Sequence, residues 1–396
     1  MGCGASKWRD PGVHQRSLSS VGDVVVFLPG LRVPRNIDFS RTLGDHLDKS
    51  VVERLTALRE RVVVMATQES ATALKPRRRV ATRHGGSSTA NLLQALEEYL
   101  PALIGLAKEG SELRNKVQFV WANQEDMAEE TSMADPWSYA DGHGPRVSEE
   151  SRQATVDLFL KAAGYLDCAI HHVLIHIPPE RRRELPVDLA EDNLKALSLQ
   201  GLSQGVDMQL GLAIDNPKAT LAVKRRLACE MTKCWKQVKD SIPELPLSDG
   251  WGKKHALFVK WKYVEAKAAA YYFHGFILDE GETEKAQEMA IASLQASEEF
   301  LNESKRASEA FHTAPPASRS PAPFGTTKYL LDMISKDVQS KVQSYQDLYT
   351  QQGASNIGVS KIIATPPPLP DFPLALSPED YELPQLDPLW KGANQR

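Results

Sequence analysis

Residues 252–311 carry the pattern that most restricts how this chain can fold. Apolar or small residues recur at Leu257, Trp261, Val264, Ala268, Tyr271, Gly275 and Leu278, a spacing of threes and fours that follows one helix face. The pattern breaks at Asp279-Glu280-Gly281-Glu282-Thr283, where Gly281 is free to take a left-handed cap. It resumes through Ala286, Met289, Ala290, Ser293, Ser297, Phe300, Leu301, Ser304 and Phe311. Two long arms around one short break predict a helical hairpin. Small residues on its contact face let the arms approach closely, and Tyr271, Tyr272 and Phe273 supply bulk.

Other stretches read the same way, in order. Val24–Leu28 is a short apolar run stopped by Pro29-Gly30 and predicts a buried strand. Phe39–Arg61 predicts an amphipathic helix, and Val62–Ala66 either a second strand or that helix's last turn. Arg77–Ser88 is basic and rich in Gly and Ser, as exposed loops are, and Thr89–Lys108 has helical spacing. Val117–Trp121 is another strand candidate, and Gln124–Pro145 reads as loop. Ser148 is placed to cap a helix running to Ile177, with Glu149 and Glu150 favourable against its dipole. Asp188 with Glu191 resembles a capping box for a helix to about Leu212. Asn216-Pro217 reads as a cap and first helical position for a helix to Ile242. Pro315–Pro323 is a connector, and Thr326–Thr350 a last amphipathic helix. Thr365-Pro366-Pro367-Pro368-Leu369-Pro370 reads as an extended closing segment, with a polyproline ligand as the alternative.

Four stretches together resemble the later helices of a Bro1 domain. They are Gly252-Lys253-Lys254-His255-Ala256, the run Ala268 to Gly275 (AAAYYFHG), Leu278-Asp279-Glu280-Gly281, and Ala296 to Phe311 (ASEEFLNESKRASEAF). Tyr381 to Leu389 resembles the segment that closes such a domain. The likeness covers about residues 24–390 and is strongest from 150 to 312. It implies a mainly α fold, a curved tetratricopeptide-like solenoid with a small β-sheet near the amino end. The divisions are then an acylated flexible segment at 1–22, the Bro1-like domain at 23–390 and a tail at 391–396. The type implied is short, Bro1-only and myristoylated, similar to plant BROX-like proteins. One departure stands out: the family's additional long apolar helix is missing near 137–147, which would leave neighbouring helices with uncovered apolar surface.

By the same resemblance the function is that of a non-catalytic adaptor on endosomal membranes. Its guest is the C-terminal amphipathic helix of a Snf7-type ESCRT-III subunit, received in the helix-in-groove mode. The matching positions are Leu210, Val223 and Leu227 for the apolar patch, with Lys224, Arg225 and Arg226 as charge partners. The alternative is a membrane-tethered helical-repeat scaffold for a signalling partner.

The amino end supplies the membrane signal. Met1-Gly2-Cys3-Gly4-Ala5-Ser6 matches the myristoylation pattern, so Gly2 is the expected acylation site. One myristoyl chain binds membranes only marginally, and Cys3 is placed for a second, thioester-linked palmitoyl chain. Residues 1–90 hold 15 Lys and Arg against 8 Asp and Glu, a net +7; the rest holds 32 against 43, a net −11. A basic amino end suits an anionic membrane surface, so the expected location is the cytoplasmic face of endosomal or plasma membranes, with a cytosolic pool. No apolar run approaches the ~18–20 residues of a membrane span. Cys3, Cys168, Cys229 and Cys234 show neither metal spacing nor a disulfide framework, as in a reducing compartment.

Catalytic signals exist only as spacing. Gly201-Leu202-Ser203-Gln204-Gly205 is a formal G-x-S-x-G, with His84-Gly85-Gly86 as a conceivable oxyanion loop. A nucleophile elbow needs a strand before the serine, whereas Leu194, Leu197, Leu199 and Leu202 have helical spacing. A serine hydrolase is therefore the third reading. His172 and His176 are four apart, but no Glu stands between them in the H-E-x-x-H place, so no metal is expected. No phosphate loop or dinucleotide fingerprint appears, so no cofactor is expected. No nucleic-acid module accompanies the basic amino end, and no nucleic-acid partner is expected.

Overall fold

The computed structural model describes residues 27, 32–74, 88–107, 113, 116–123, 130–133, 152–183, 185, 189–242, 251–315, 325–351 and 366–390. Its elements in chain order are β1 (Arg32–Pro34), α1 (Phe39–Leu43), α2 (Lys49–Leu74), α3 (Ser88–Ala107), β2 (Phe119–Asn123), β3 (Glu130–Met133), α4 (Arg152–Cys168), α5 (Pro179–Arg182), α6 (Glu191–Asp215), α7 (Leu221–Ser241), α8 (Trp251–Asp279), α9 (Glu284–Thr313) and α10 (Gly325–Gln351).

The small sheet lies near the amino end, as expected. It is antiparallel in the order β1-β2-β3, with Val33 opposite Ala122 and Trp121 opposite Thr131. β3 corrects the loop reading of 124–145, because Glu130–Met133 pairs with β2 despite its polar composition. Val62–Ala66 belongs to α2. From that helix the buried Arg59 donates to the carbonyls of Arg35 (2.9 Å) and Val120 (3.4 Å), with its guanidinium over the Phe119 ring. One side chain thus clamps α2 to β2 and to the residue that follows β1. Around it, α1, α2, α3 and the sheet share an apolar core that includes Phe39, Leu55, Tyr99 and Phe119.

The larger core lies among α6–α10 and centres on Trp235, Phe258, Trp261, Phe273 and Phe311. The hairpin predicted over 252–311 is α8 and α9. Gly275 is what permits its close approach: a Cβ there would come within 2.9 Å of Leu294 side-chain atoms. Ser293, Ser297 and Ser304 are buried along the same contact. Gly281 does follow α8, but its backbone is not left-handed; its N–H donates to the Leu278 carbonyl (3.0 Å). Thr283 then caps α9 by accepting from the Ala286 N–H.

Other boundaries differ from expectation for local reasons. Thr220, not Asn216, caps α7, accepting from the Val223 N–H; Asn216 instead folds its Oδ1 onto the Lys218 N–H (2.9 Å). Ala190 caps α6 without a side-chain bond, and Asp188 and Ser148 lie outside the described residues. α4 does not run on to Ile177 as regular helix: it passes into a π turn at Ala169–Val173 and a 3₁₀ turn at Leu174–His176. Val156–His176 is also long and apolar enough to cross a membrane, correcting the expectation that no stretch would be. Here it packs against α6, half buried, with Ile175 exposed. The expected gap at 137–147 lies outside the described residues, as do Val24–Val26 and Leu28 of the first strand candidate.

Phe27, the described residue of that strand candidate, is not in a strand. Its ring sits among His255 (6.2 Å between centroids), Phe258 (5.4 Å) and Phe311 (5.0 Å). Its carbonyl accepts from Gln200 Nε2 (2.7 Å), and Gln200 Oε1 accepts from His255 Nε2 (2.7 Å). His255 is therefore a neutral imidazole whose Nδ1 faces the core without a partner, and a second proton there would find no acceptor. Burial pushes its pKa down to about 4, against ~6.5 for an unfolded histidine. Since the unfolded state takes up the proton first, stability is full above about pH 6.5 and falls as pH drops toward 4, by about 2 kcal/mol at pH 5. Urea melts at pH 7.5 and 5 should show that loss, and His255→Gln should remove its share of the slope.

An extended strap, residues 366–390, runs across the outside of the helices. Lys233 on α7 holds Asp371 (2.9 Å) and donates to the Phe372 carbonyl (3.2 Å). The Glu379 N–H donates to the Leu160 carbonyl of α4 (3.1 Å), and Tyr381 meets Tyr165 edge-on (4.2 Å). Trp390 Nε1 donates to the Ala102 carbonyl of α3 (3.0 Å). Glycines make this path possible: a Cβ at Gly164 would overlap the Glu379 carbonyl, and one at Gly105 the Trp390 ring. The closing-segment reading of the Pro-rich stretch describes this geometry.

Candidate functional site

The two helices singled out for partner binding, α6 and α7, are joined by a five-residue turn and pack side by side. α7 forms where it does because Thr220 supplies the first turn with an acceptor and Ala228, Met231, Trp235 and Val238 fall on one buried face. That periodicity leaves the amino-terminal turns of α7 to present the remaining side chains outward.

The six predicted residues separate sharply by position. Val223 is 45% exposed, unusual for a branched apolar side chain in this molecule. Leu227, one turn on, is partly buried against the core and lies on the same helix face. Leu210 is 0% exposed within the α6–α10 core and cannot touch a guest; it supports the floor beneath α7, and its assignment as a contact residue is corrected. Lys224 and Arg225 are half buried and Arg226 is exposed. Arg226 is committed to Glu230, with Nε 2.8 Å from Oε1, while Glu230 itself is buried. Arg225 and Arg226 also both approach the Phe372 ring of the strap, each guanidinium 6.0 Å from its centroid. The basic run is thus partly used by the protein itself.

Spacing alone did not single out Glu230, Lys233 or Phe372, which complete this face. The signal for Glu230 was its offset of four from Arg226; Phe372 and Lys233 are 139 residues apart and had none. Beside α7, Lys267 of α8 lies over the Phe300 ring (3.6 Å) and Tyr271 stacks on that ring (5.4 Å). Burial lowers the Lys267 pKa. His274, near Arg225, is likewise held neutral-leaning, first by burial and then by that guanidinium.

The catalytic spacings do not assemble into sites. Ser203 lies in the middle of α6, 0% exposed, and donates to the Leu199 carbonyl (2.8 Å). The residues directly before it, from Glu191 on, are helix rather than strand, so the G-x-S-x-G is a helical segment. Burial pushes the thiols of Cys229 and Cys234 up to about 12, far from thiolate chemistry. His172 and His176 are exposed on successive turns, and among the described residues no three metal-ligating side chains come together. Gly2, Cys3 and His84–Gly86 lie outside the described residues.

No family model and no curated protein matches the sequence. Solved structures do match the fold. One, reported as the structure basis for endosomal targeting by the Bro1 domain, has a TM-score of 0.57 at 14% identity, over 93% of this chain and 94% of that one. ALIX in complex with the SIVmac239 PYKEVTEDL late domain has a TM-score of 0.55 at 15% identity, over 93% of this chain and 51% of that one. The ALIX Bro1 domain in its CHMP4C complex has a TM-score of 0.53 at 14% identity, over 93% and 99%. The chain therefore has the fold of a Bro1 domain: mainly α, a helical solenoid with a small sheet near the amino end. It spans about half the length of the ALIX chain in the late-domain complex.

Proposed function

We propose that this protein is a non-catalytic, membrane-associated adaptor whose α7 face receives the C-terminal helix of a Snf7-type ESCRT-III subunit. The observation that carries the reading is the exposed Val223 one turn before the half-buried Leu227, flanked by Lys224 and Arg226, on a Bro1-domain fold. An amphipathic helix could lay its apolar stripe on Val223 and Leu227 and turn acidic side chains to the cations. The ALIX Bro1 domain solved with CHMP4C supports the choice of guest. Acylation at Gly2 and Cys3 would hold the adaptor at the cytoplasmic face of endosomal or plasma membranes, two chains giving the stable anchoring that one does not.

Fluorescence anisotropy of a labelled Snf7-type C-terminal helix tests this. Saturable micromolar binding is expected for the wild type. Val223→Asp should weaken it about ten-fold or more, because a carboxylate is placed in an apolar contact and against an acidic guest. Since Val223 is exposed, its thermal melt should barely move. If neither the folded wild type nor a folded variant with residues 371–375 released from α7 binds the helix, the ESCRT-III reading is dismissed in favour of a scaffold for another client.

A further inference from the structure

The basic face of α7 already holds a ligand, and that ligand is part of the chain. Strap residues 371–375 present a carboxylate, an aromatic ring and backbone groups to the helix that carries Arg225 and Arg226. Asp371 pairs with Lys233 Nζ at 2.9 Å, and the same ammonium donates to the Phe372 carbonyl at 3.2 Å. The Phe372 ring is 6.0 Å from each of the two guanidinium groups. The Ala375 N–H donates to Glu230 Oε2 at 3.0 Å, while Glu230 Oε1 accepts from Arg226 Nε. An acidic amphipathic helix would offer α7 the same chemistry.

We propose that strap residues Asp371–Ala375 are an intramolecular competitor for the basic face of α7, limiting access of an acidic partner helix to Arg225 and Arg226. This rests on the reading of α7 as the partner face.

The segment is suited to exchange. Its ionic anchor is at the surface, with the Asp371 side chain 83% exposed and Lys233 37% exposed, so solvent and salt weaken it. Pro370 and Pro373 flank Asp371-Phe372, keep this stretch extended and remove backbone donors. It consequently lies on α7 through side chains and a few backbone contacts. The strap's other fastenings are Leu369 and Leu376, which pack against the α6–α10 core on either side of the segment, and Glu379, Tyr381 and Trp390 on α4 and α3. Lifting residues 371–375 withdraws only the partly buried Phe372 and Leu374 from the core, while the remainder of the strap stays docked.

The test compares the full-length wild type with Asp371→Asn/Phe372→Ala, after thermal melts and near-ultraviolet circular dichroism establish that both fold. Phenylglyoxal modification followed by mass spectrometry reads the reactivity of Arg225 and Arg226 against the exposed Arg183 as internal standard. Anisotropy with the labelled Snf7-type helix reads the guest. Removing the ring and the charge should speed modification of both arginines and tighten the guest by about three- to ten-fold. A variant that binds where the wild type does not would support the competitor equally. Unchanged arginine reactivity would overturn it whatever the guest does. Faster modification with equal guest affinity would overturn the competition and leave the adaptor reading standing. Faster modification with no guest binding by either chain would overturn the adaptor reading, and the competition with it.

Discussion

Lys262→Met should destabilise the protein by about 3–5 kcal/mol at neutral pH. Lys262 is 2% exposed, with Nζ 2.8 Å from Asp207 Oδ2 on α6 and 2.5 Å from Glu265 Oε1 on its own helix, α8. Burial by itself would push the ammonium's pKa down. The two carboxylates outweigh that and hold it above the usual lysine range, so the group is charged throughout the working pH range. Removing the cation leaves two carboxylates together in the core, each desolvated and repelling the other. That repulsion acts only while both are charged. The deficit is consequently largest at neutral pH and shrinks as pH falls through the carboxylate range. Urea melts at pH 7.5 and 4.5 check both the size and the sign. Replacing all three charges with apolar side chains should cost far less than Lys262→Met alone, since breaking a buried ion cluster is worse than omitting it.

A chain stopped at residue 365 should lose cooperativity between the two cores. Leu369, Phe372, Leu374 and Leu376 pack against the α6–α10 core, and Leu389 and Trp390 against the amino-terminal one. The strap is a covalent bridge between them. Each of these side chains is only partly buried, so each contributes less than the ~1.5–3 kcal/mol of full burial. Freeing the strap's chain entropy offsets part of the loss, leaving a net cost of about 3–5 kcal/mol. Differential scanning calorimetry should show the single transition broaden or split, with the amino-terminal helices melting first. Trp390→Ala should reproduce a smaller part, about 2 kcal/mol, because the ring is only partly buried. An unchanged transition in the truncated chain would show that direct helix packing alone couples the cores.

The fold class came from the family resemblance, and Phe39–Arg61, read as one helix, divides into α1 and α2, with α2 running on to Leu74. The hairpin of α8 and α9 and the extents of α3 and α10 were legible from residue order. They depend on which face of a local segment is apolar, and a period of three to four residues records that directly. The ends of helices were less legible. Thr220 caps α7 in place of Asn216 because a cap must stand where its side chain meets the amide three residues on, here Val223, a matter of backbone geometry and not of residue type alone. β3 was missed because Glu130–Met133 is polar, and only the β2 partner makes it a strand.

The candidate site divides along the same line. Sequence reasoning placed Val223, Leu227 and the basic run on one helix, and the exposure of Val223 agrees with a surface role. It could not tell that Leu210 was core, since an apolar residue on a helix face is equally suited to a partner or to a neighbouring helix. Nor could it show that Arg226 was committed to Glu230, or that Phe372 stood against both arginines.

Sequence by itself determined that this chain is a run of long amphipathic helices with a pronounced hairpin and a Pro-rich closing segment. The tertiary structure alone decided which apolar faces are covered, where the strap lies, why Phe27 docks beside His255, and that one lysine joins α6 to α8 through two carboxylates. The physical reason is range. Helical propensity and periodicity act over a few residues, whereas burial and ion pairing depend on groups the chain brings together from as far apart as Phe27 and Phe311.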